Sequence, residues 1–317
     1  MKKLYSLLSI AFVSFSFAQQ TLPFADSFSY PAGNLHETAP WSALGTPSTT
    51  GDHILLDGSK VTFAGGGTDA QVVLTTQTTG TVYYKFSLNI TSMAGVTDAN
   101  GGYLAGFAQN ATTFGGTLWA KRVDDTTYNL GIEVRTATGV NTTYTTGTYT
   151  TGTAYTIVVA YTFNTGTTSD DEAKLWVNPT SAGDEATPLL SDTHSAPATD
   201  LTQIASFFLR QDSATETGSV EVDDLKISTT FADLLSTKSN TIAGLKLYPN
   251  PVSNGTLFIE TAANADKTVA VYDVLGKNVL NASTTENAVN VSSLRAGVYM
   301  VKITEEGKTA TRKLVIK

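Results

Sequence analysis

The sequence predicts an all-β chain: a large antiparallel jelly-roll sandwich followed by a small seven-stranded immunoglobulin-like sandwich. Three observations carry this. Apolar residues recur at every second position in stretch after stretch. Gly- and Asn-containing turns separate the stretches, and the body shows no apolar period of 3.6. With 41% hydrophobic and 15% charged residues the chain of 317 residues is globular, and its wealth of Thr and Gly favours strands and turns.

In the body, Val82, Tyr84, Phe86, Leu88 and Ile90 share one face of a predicted strand, opposite Tyr83, Lys85, Ser87 and Asn89. Tyr128, Leu130, Ile132 and Val134 oppose Asn129, Gly131, Glu133 and Arg135, and Tyr155–Phe163 repeats the scheme. Strands of this kind bury one face and wet the other. Shorter strands are expected at Lys60–Phe63, Gln71–Leu74, Tyr103–Phe107, Leu118–Val123, Lys174–Val177, Ile204–Arg210 and Ser219–Ile227, with turns such as Gly65-Gly66-Gly67 and Asn100-Gly101-Gly102 between them. Phe231–Asn240 reads as a short helix or linker, giving a body at 19–231 and a connection at 232–244. The tail, 245–317, divides into strands at Leu245–Tyr248, Thr256–Glu260, Thr268–Tyr272, Asn278–Leu280, Ala288–Val291, Gly297–Thr304 and Thr309–Ile316. Asn250-Pro251, Leu275-Gly276-Lys277 and Glu306-Gly307-Lys308 punctuate them.

Composition excludes several chemistries. There are no cysteines, so disulfides, Cys-type zinc sites and thiol catalysis are ruled out. Three histidines, His36, His53 and His194, stand alone in sequence and argue against a His-based metal site. Residues 19–244 hold 9 Lys+Arg against 22 Asp+Glu, while 245–317 hold 9 against 6. An acidic body repels nucleic acid and anionic lipid.

Lys2 and Lys3 precede an apolar run from Leu4 to Phe17 that ends in Ala18, Gln19 and Gln20, the pattern of a secretory signal peptide at 1–18 cut between Ala18 and Gln19. As a helix, Leu4 to Ala18 would reach only about 22 Å, short of the ~30 Å hydrocarbon core.

The tail carries four ordered motifs: Leu247-Tyr248-Pro249-Asn250-Pro251, Val271-Tyr272-Asp273-Val274-Leu275-Gly276-Lys277, Leu294-Arg295-Ala296-Gly297-Val298-Tyr299-Met300-Val301-Lys302-Ile303, and Arg312-Lys313-Leu314-Val315-Ile316-Lys317. Pro249 and Pro251 fix φ and withhold two donors, which forces a turn, and Gly276 permits a positive φ. Together these residues resemble the C-terminal sorting domain of type IX secretion (the type A, or Por, tail). The resemblance implies passage through the periplasm of a Gram-negative bacterium and engagement of an outer-membrane translocon. It further implies removal of the tail by a sorting protease, cutting between Leu234 and Leu245, and release of the body or its attachment to surface lipopolysaccharide.

The body resembles the laminin-G-like, concanavalin-type jelly rolls of secreted bacterial proteins. The resemblance is carried by Asp26-Ser27-Phe28-Ser29-Tyr30, Trp41, Asn129-Leu130-Gly131-Ile132, Leu175-Trp176-Val177-Asn178-Pro179, Leu209-Arg210-Gln211 and Val222-Asp223-Asp224-Leu225-Lys226-Ile227. It implies a fold that often binds sugar or protein surfaces. Glu221 and Asp223 invite a glycosidase reading, but the third acid of the E-x-D-x-x-E pattern is replaced by Lys226. The body is therefore expected to be a non-catalytic, adhesion-type module for a neutral glycan or extracellular protein. A polysaccharide-degrading enzyme without a recognisable motif and a surface-coat protein are the alternatives. Trp119 and Tyr144 are the candidate ligand contacts. No cofactor is expected except calcium, for which Asp170, Asp171, Glu172 and Asp223 offer oxygens.

Overall fold

The computed structural model describes residues 19–49, 51–136, 141–193, 198–236, 242, 244–305 and 308–317. The signal-peptide segment with Ala18, most of the connection at 237–243, His194 and the Glu306-Gly307 turn lie outside the described residues. The chain divides into two compact units, residues 1–235 and 236–317.

The first unit is a sandwich of a nine-stranded and an eight-stranded antiparallel sheet. In the nine-stranded sheet the long Gly80–Ser92 strand lies between Tyr155–Phe163 and Ser219–Ser228. The eight-stranded sheet runs Thr143–Tyr144, Thr127–Arg135, Thr113–Arg122, Gly102–Asn110, Ile204–Leu209, Ala70–Gln77 and Trp41–Ala43, with Tyr149–Thr150 also on Thr127–Arg135. The alternation in the sequence explains the core. Tyr84, Phe86 and Leu88 from one sheet meet Phe107, Leu130, Ile132 and Phe207 from the other, all fully buried. Each such side chain is worth roughly 1.5–3 kcal/mol of burial.

Two expectations change. The faces turned away from this core are not simply wet. On the nine-stranded sheet, Tyr83, Val158 and Trp176 are covered by Phe231 and Leu234 of the helix Phe231–Leu235, the start of the expected helix or linker whose residues 237–240 lie outside the described residues. On the eight-stranded sheet a second aromatic layer, Tyr103, Phe114, Trp119 and Phe208, is also buried.

The second unit is a seven-stranded sandwich, a three-stranded sheet and a four-stranded sheet around Leu257, Ile259, Val269, Val271, Val301, Ile303 and Leu314. Its strands match the seven expected ones to within one residue at each end, except that Asn278–Thr284 runs on past the expected end at Leu280. At one end of that core sits an ion pair, Lys267 Nζ 3.1 Å from Glu305 Oε1, with the side chains 0% and 3% exposed. Charges this deep are tolerated because both are hydrogen-bonded: Lys267 donates to Ala265 O and Asn287 Oδ1, while Glu305 accepts from Thr261 and from Ala265 N–H.

Candidate functional site

The outward face of the eight-stranded sheet gathers the richest chemistry among the described residues. Cross-strand pairing sets Tyr103 beside Trp119, Trp119 beside Gly131, and Gly131 beside Tyr144. Tyr103 and Trp119 rings lie 5.1 Å apart. At one end of this row the Arg210 guanidinium lies 4.5 Å from the Tyr103 ring centre, and at the other Lys121 Nζ lies 4.1 Å from the Tyr144 ring centre. The glycine at 131 has a steric cause, since a Cβ there would stand 2.6 Å from Tyr144 Cδ1. The Tyr144 hydroxyl donates to Asn100 O.

Polar groups border the aromatics. Arg210 reaches Asp212 Oδ1 at 2.9 Å and Asp69 Oδ2 at 3.4 Å, and its buried Nε has no partner among the described residues. Asp69 also accepts from the Gln211 N–H at 3.0 Å. Burial nevertheless dominates at Asp69 and pushes its pKa up to about 6, against the pull of Gln211 and Arg210. Burial likewise lifts the Tyr103 phenol to about 12. Glu133, 2% exposed, accepts from Asn141 N–H and Thr142 Oγ1 through Oε1, and among the described residues its buried Oε2 has no close hydrogen-bond partner. Burial raises its carboxyl above the usual range, ahead of those hydrogen bonds. Desolvated, perturbed groups in such a setting make this face a functional-site candidate.

Asp69 and Glu133 are not a paired acid–base couple. Four strand spacings separate their rows, on the order of 15–20 Å, whereas glycosidic carboxylate pairs stand about 5–9.5 Å apart.

The sequence candidates fall in several places. Trp119 and Tyr144 do share this face. Trp119, however, is 5% exposed and donates Nε1 to Thr117 Oγ1, so it is a floor under the row and not an open stacking surface. Tyr144 is half-buried and within reach of a ligand. Glu221 lies on the other sheet, clasped by Lys60 Nζ at 2.6 Å and Asn89 Nδ2 at 2.9 Å, beside a hollow of about 310 Å³ that His53 also lines. Asp223 opens a bulge at which the pairing shifts before Lys226.

The acidic set is corrected as well. Asp170 and Asp171 are joined by Asp200, with carboxylate oxygens within 4.8 Å of one another, whereas Glu172 turns to Lys174 at 2.8 Å and Asp223 is elsewhere. Asp171 accepts from Tyr161 and the Asn164 N–H, and Asp200 accepts from the N–H groups of Asp170 and Asp171. Those oxygens clasp the loop itself, which leaves few for a cation that wants six to eight. Two of the histidines are not isolated in space: His36 and His53 rings lie 5.0 Å apart, each with a buried Nδ1 lacking a partner among the described residues.

In the tail, the motif residues meet along one seam. Asn250 pairs with Lys313 O and Val315 N–H, Lys317 N–H donates to Val252 O, Gly297 pairs with Ile316, and Tyr299 donates to Arg295 O. Tyr248, Pro249 and Pro251 lead into it from the first strand of the tail. Asp273 closes a hairpin tip by accepting from Leu275 and Lys277 N–H groups, with Gly276 at φ +82°. Residues 246–317 match the family of secretion system C-terminal sorting domains.

The tail is a secretion-sorting domain. It marks the chain for export by type IX secretion to the cell surface or the extracellular space.

By fold, the chain is similar to an alginate lyase, at 14% identity over 58% of this chain and 87% of that one, with a TM-score of 0.39. It is similar to an endo-1,3-beta-glucanase from Streptomyces sioyaensis, at 15% identity over 69% and 98%, with a TM-score of 0.38. A third likeness is to the Emp47p carbohydrate recognition domain, at 11% identity over 64% and 96%, with a TM-score of 0.36. No curated protein matches the chain. These likenesses concern fold, and they assign no activity to this chain. They do overturn the expectation that the body is no enzyme, because lyases and glucanases are among the similar structures. Lys226 in place of a third acid excludes one motif, not catalysis.

Proposed function

We propose that the exported body recognises a neutral glycan on the outward face of its eight-stranded sheet. The observation that carries this reading is the half-buried Tyr144 ring, set at the end of a row whose buried floor is Tyr103 and Trp119 and whose ends carry Arg210 and Lys121. Sugars offer apolar C–H faces and hydroxyl edges, and an aromatic ring beside hydrogen-bonding groups answers both. Charge favours a neutral polymer. Arg210 and Lys121 share the neighbourhood with Asp69, Asp98, Glu133, Asp212 and Glu216, so a polyanion meets net repulsion. Glu133 is the buried carboxyl beside Tyr144, covered by Asn141 and Thr142.

The reading includes removal of residues 1–18 before export and of the tail after it. N-terminal sequencing and intact mass of the surface or extracellular form check both, a start at Gln19 and loss of Lys317 being expected. For the ligand, the mature chain is applied to an array of neutral and uronate-bearing glycans, and product release is followed on every glycan retained. Retention of neutral glycans supports the reading. Retention of uronates alone, or of none, rejects it. If product is released, Glu133→Gln tests whether that carboxyl takes part.

A further inference from the structure

Seven of the ten exposed large apolar side chains among the described residues belong to the tail. Five of them, Val274, Leu275, Val279, Val298 and Met300, collect at one end of its four-stranded sheet, on the face turned away from the core. Register explains the collection. Met300 pairs with Tyr272 on one side and Lys313 on the other, and Val298 pairs with Val315. Val279 sits in the bulge opposite Tyr272, and the hairpin tip carries Val274 and Leu275, 75% and 90% exposed, just beyond. Nothing in the packing of the tail requires these residues: its core is complete with Val269, Val271, Val301, Ile303 and Leu314. Soluble surfaces rarely leave contiguous apolar area uncovered unless something covers it.

We infer that this end of the sheet, Val298, Met300 and the Val274–Leu275 tip, is the surface by which the sorting tail docks on a protein of the secretion machinery, one that presents an apolar surface edged with carboxylates. The inference rests on the tail being a sorting domain. Charge points to the partner: the outward positions of the four strands include Lys302 and Lys313 and no Asp or Glu. A second copy of the same face would bring like charges together, which disfavours self-association. Within the motifs, Asn250, Gly297, Lys313 and Lys317 meet at the seam that holds the tail together, whereas the side chains of Val298, Met300 and Leu275 stay exposed.

The test uses the full chain in cells that export it. Val298→Thr, Met300→Gln and Leu275→Asn together keep shape and β-propensity while removing apolar character. The surface and extracellular fraction is expected to fall by about tenfold, the weakening typical of losing the apolar centre of an interface, with the chain accumulating in the periplasm. The melting temperature of the purified variant is expected to stay at the wild-type value, because all three sites are exposed. Lys302→Glu with Lys313→Glu should lower export in the same way, and unchanged export there overturns the carboxylate-edged partner. If the triple variant is exported normally while deletion of residues 246–317 blocks export, the sorting role stands and the docking surface is wrong. If the deletion itself leaves export intact, the sorting role falls and the inference falls with it. If the wild type dimerises, the triple variant is monomeric and export is unchanged, the face is an interface between copies, which also overturns the inference.

Discussion

The Asn250 side chain pairs with the backbone around Val315 as a neighbouring strand would. Its Oδ1 accepts from the Val315 N–H at 2.9 Å and its Nδ2 donates to the Lys313 carbonyl at 2.9 Å. The Tyr248-Pro249-Asn250-Pro251 turn thereby closes part of the open edge of the Lys308–Ile316 strand, and Val252 extends the seam by two more bonds of 2.8 Å, its N–H donating to Val315 O and its carbonyl accepting from Lys317 N–H. An unpaired edge is a template for misassembly, and a side-chain amide is an economical cover.

Asn250→Ala should therefore loosen that strand by about 1–2 kcal/mol, two partly exposed hydrogen bonds being lost. Asn250→Asp keeps the acceptor to Val315 and loses the donor to Lys313, so it should fall between. Amide hydrogen exchange at Val315 reads the effect directly.

The Lys267–Glu305 pair makes the tail acid-sensitive. Burial alone would raise the Glu305 carboxyl, but hydrogen bonds from Thr261, Lys267 and Ala265 outweigh it and hold its pKa below the ordinary value. A depressed folded pKa contributes stability that is present above the unfolded value, about 4.3, and is lost as pH falls through the folded one. Thermal unfolding of the tail should thus weaken below about pH 4. Lys267→Met strands a buried carboxylate and should cost about 3–5 kcal/mol at neutral pH. Adding Glu305→Leu should restore most of that loss, and a double variant no more stable than Lys267→Met would contradict the account.

Asp69 gives the body the opposite dependence. Its pKa rises from 3.8 unfolded to about 6 folded, chiefly through burial. The folded state then holds the extra proton between those values, so its contribution weakens as pH rises from about 4 to about 6. Asp69→Asn should remove that slope from the body's stability profile. A profile identical to wild type over this window would show that Asp69 is not the group responsible.

How much was legible beforehand depended on range. The alternation in Val82–Ile90 and Tyr128–Arg135 gave the strands and their inner faces, because period 2 is a local property. It also put Glu133 on the face opposite Ile132. It could not tell that Asn141 and Thr142 would fold over Glu133 and bury it. Asp69 and Arg210 lie 141 positions apart, and only the pairing of Ala70 with Leu209 brings them together. Asp200 was missed beside Asp170 and Asp171 for the same reason, while Glu172, adjacent in sequence, turned out to face Lys174. The tail motifs were legible as a family pattern, but the bond between Asn250 and Val315 spans 65 positions.

Trp119→Ala should cost about 3–5 kcal/mol of body stability, the usual loss for a buried tryptophan, since its ring packs against Tyr103 and its Nε1 is bonded to Thr117. Thermal unfolding measures this without any ligand.

Tyr144 separates recognition from folding, because its ring is only half-buried, packed over Gly131 and beside the Lys121 ammonium. The decisive measurement is the dissociation constant of the mature chain for the neutral oligosaccharide retained best on the array, compared between wild type and Tyr144→Ala. Glycan recognition along the Arg210–Tyr103–Trp119–Tyr144 row predicts that Tyr144→Ala weakens binding about tenfold or more, with a melting temperature far less affected than that of Trp119→Ala. Equal affinity in the two proteins would contradict it.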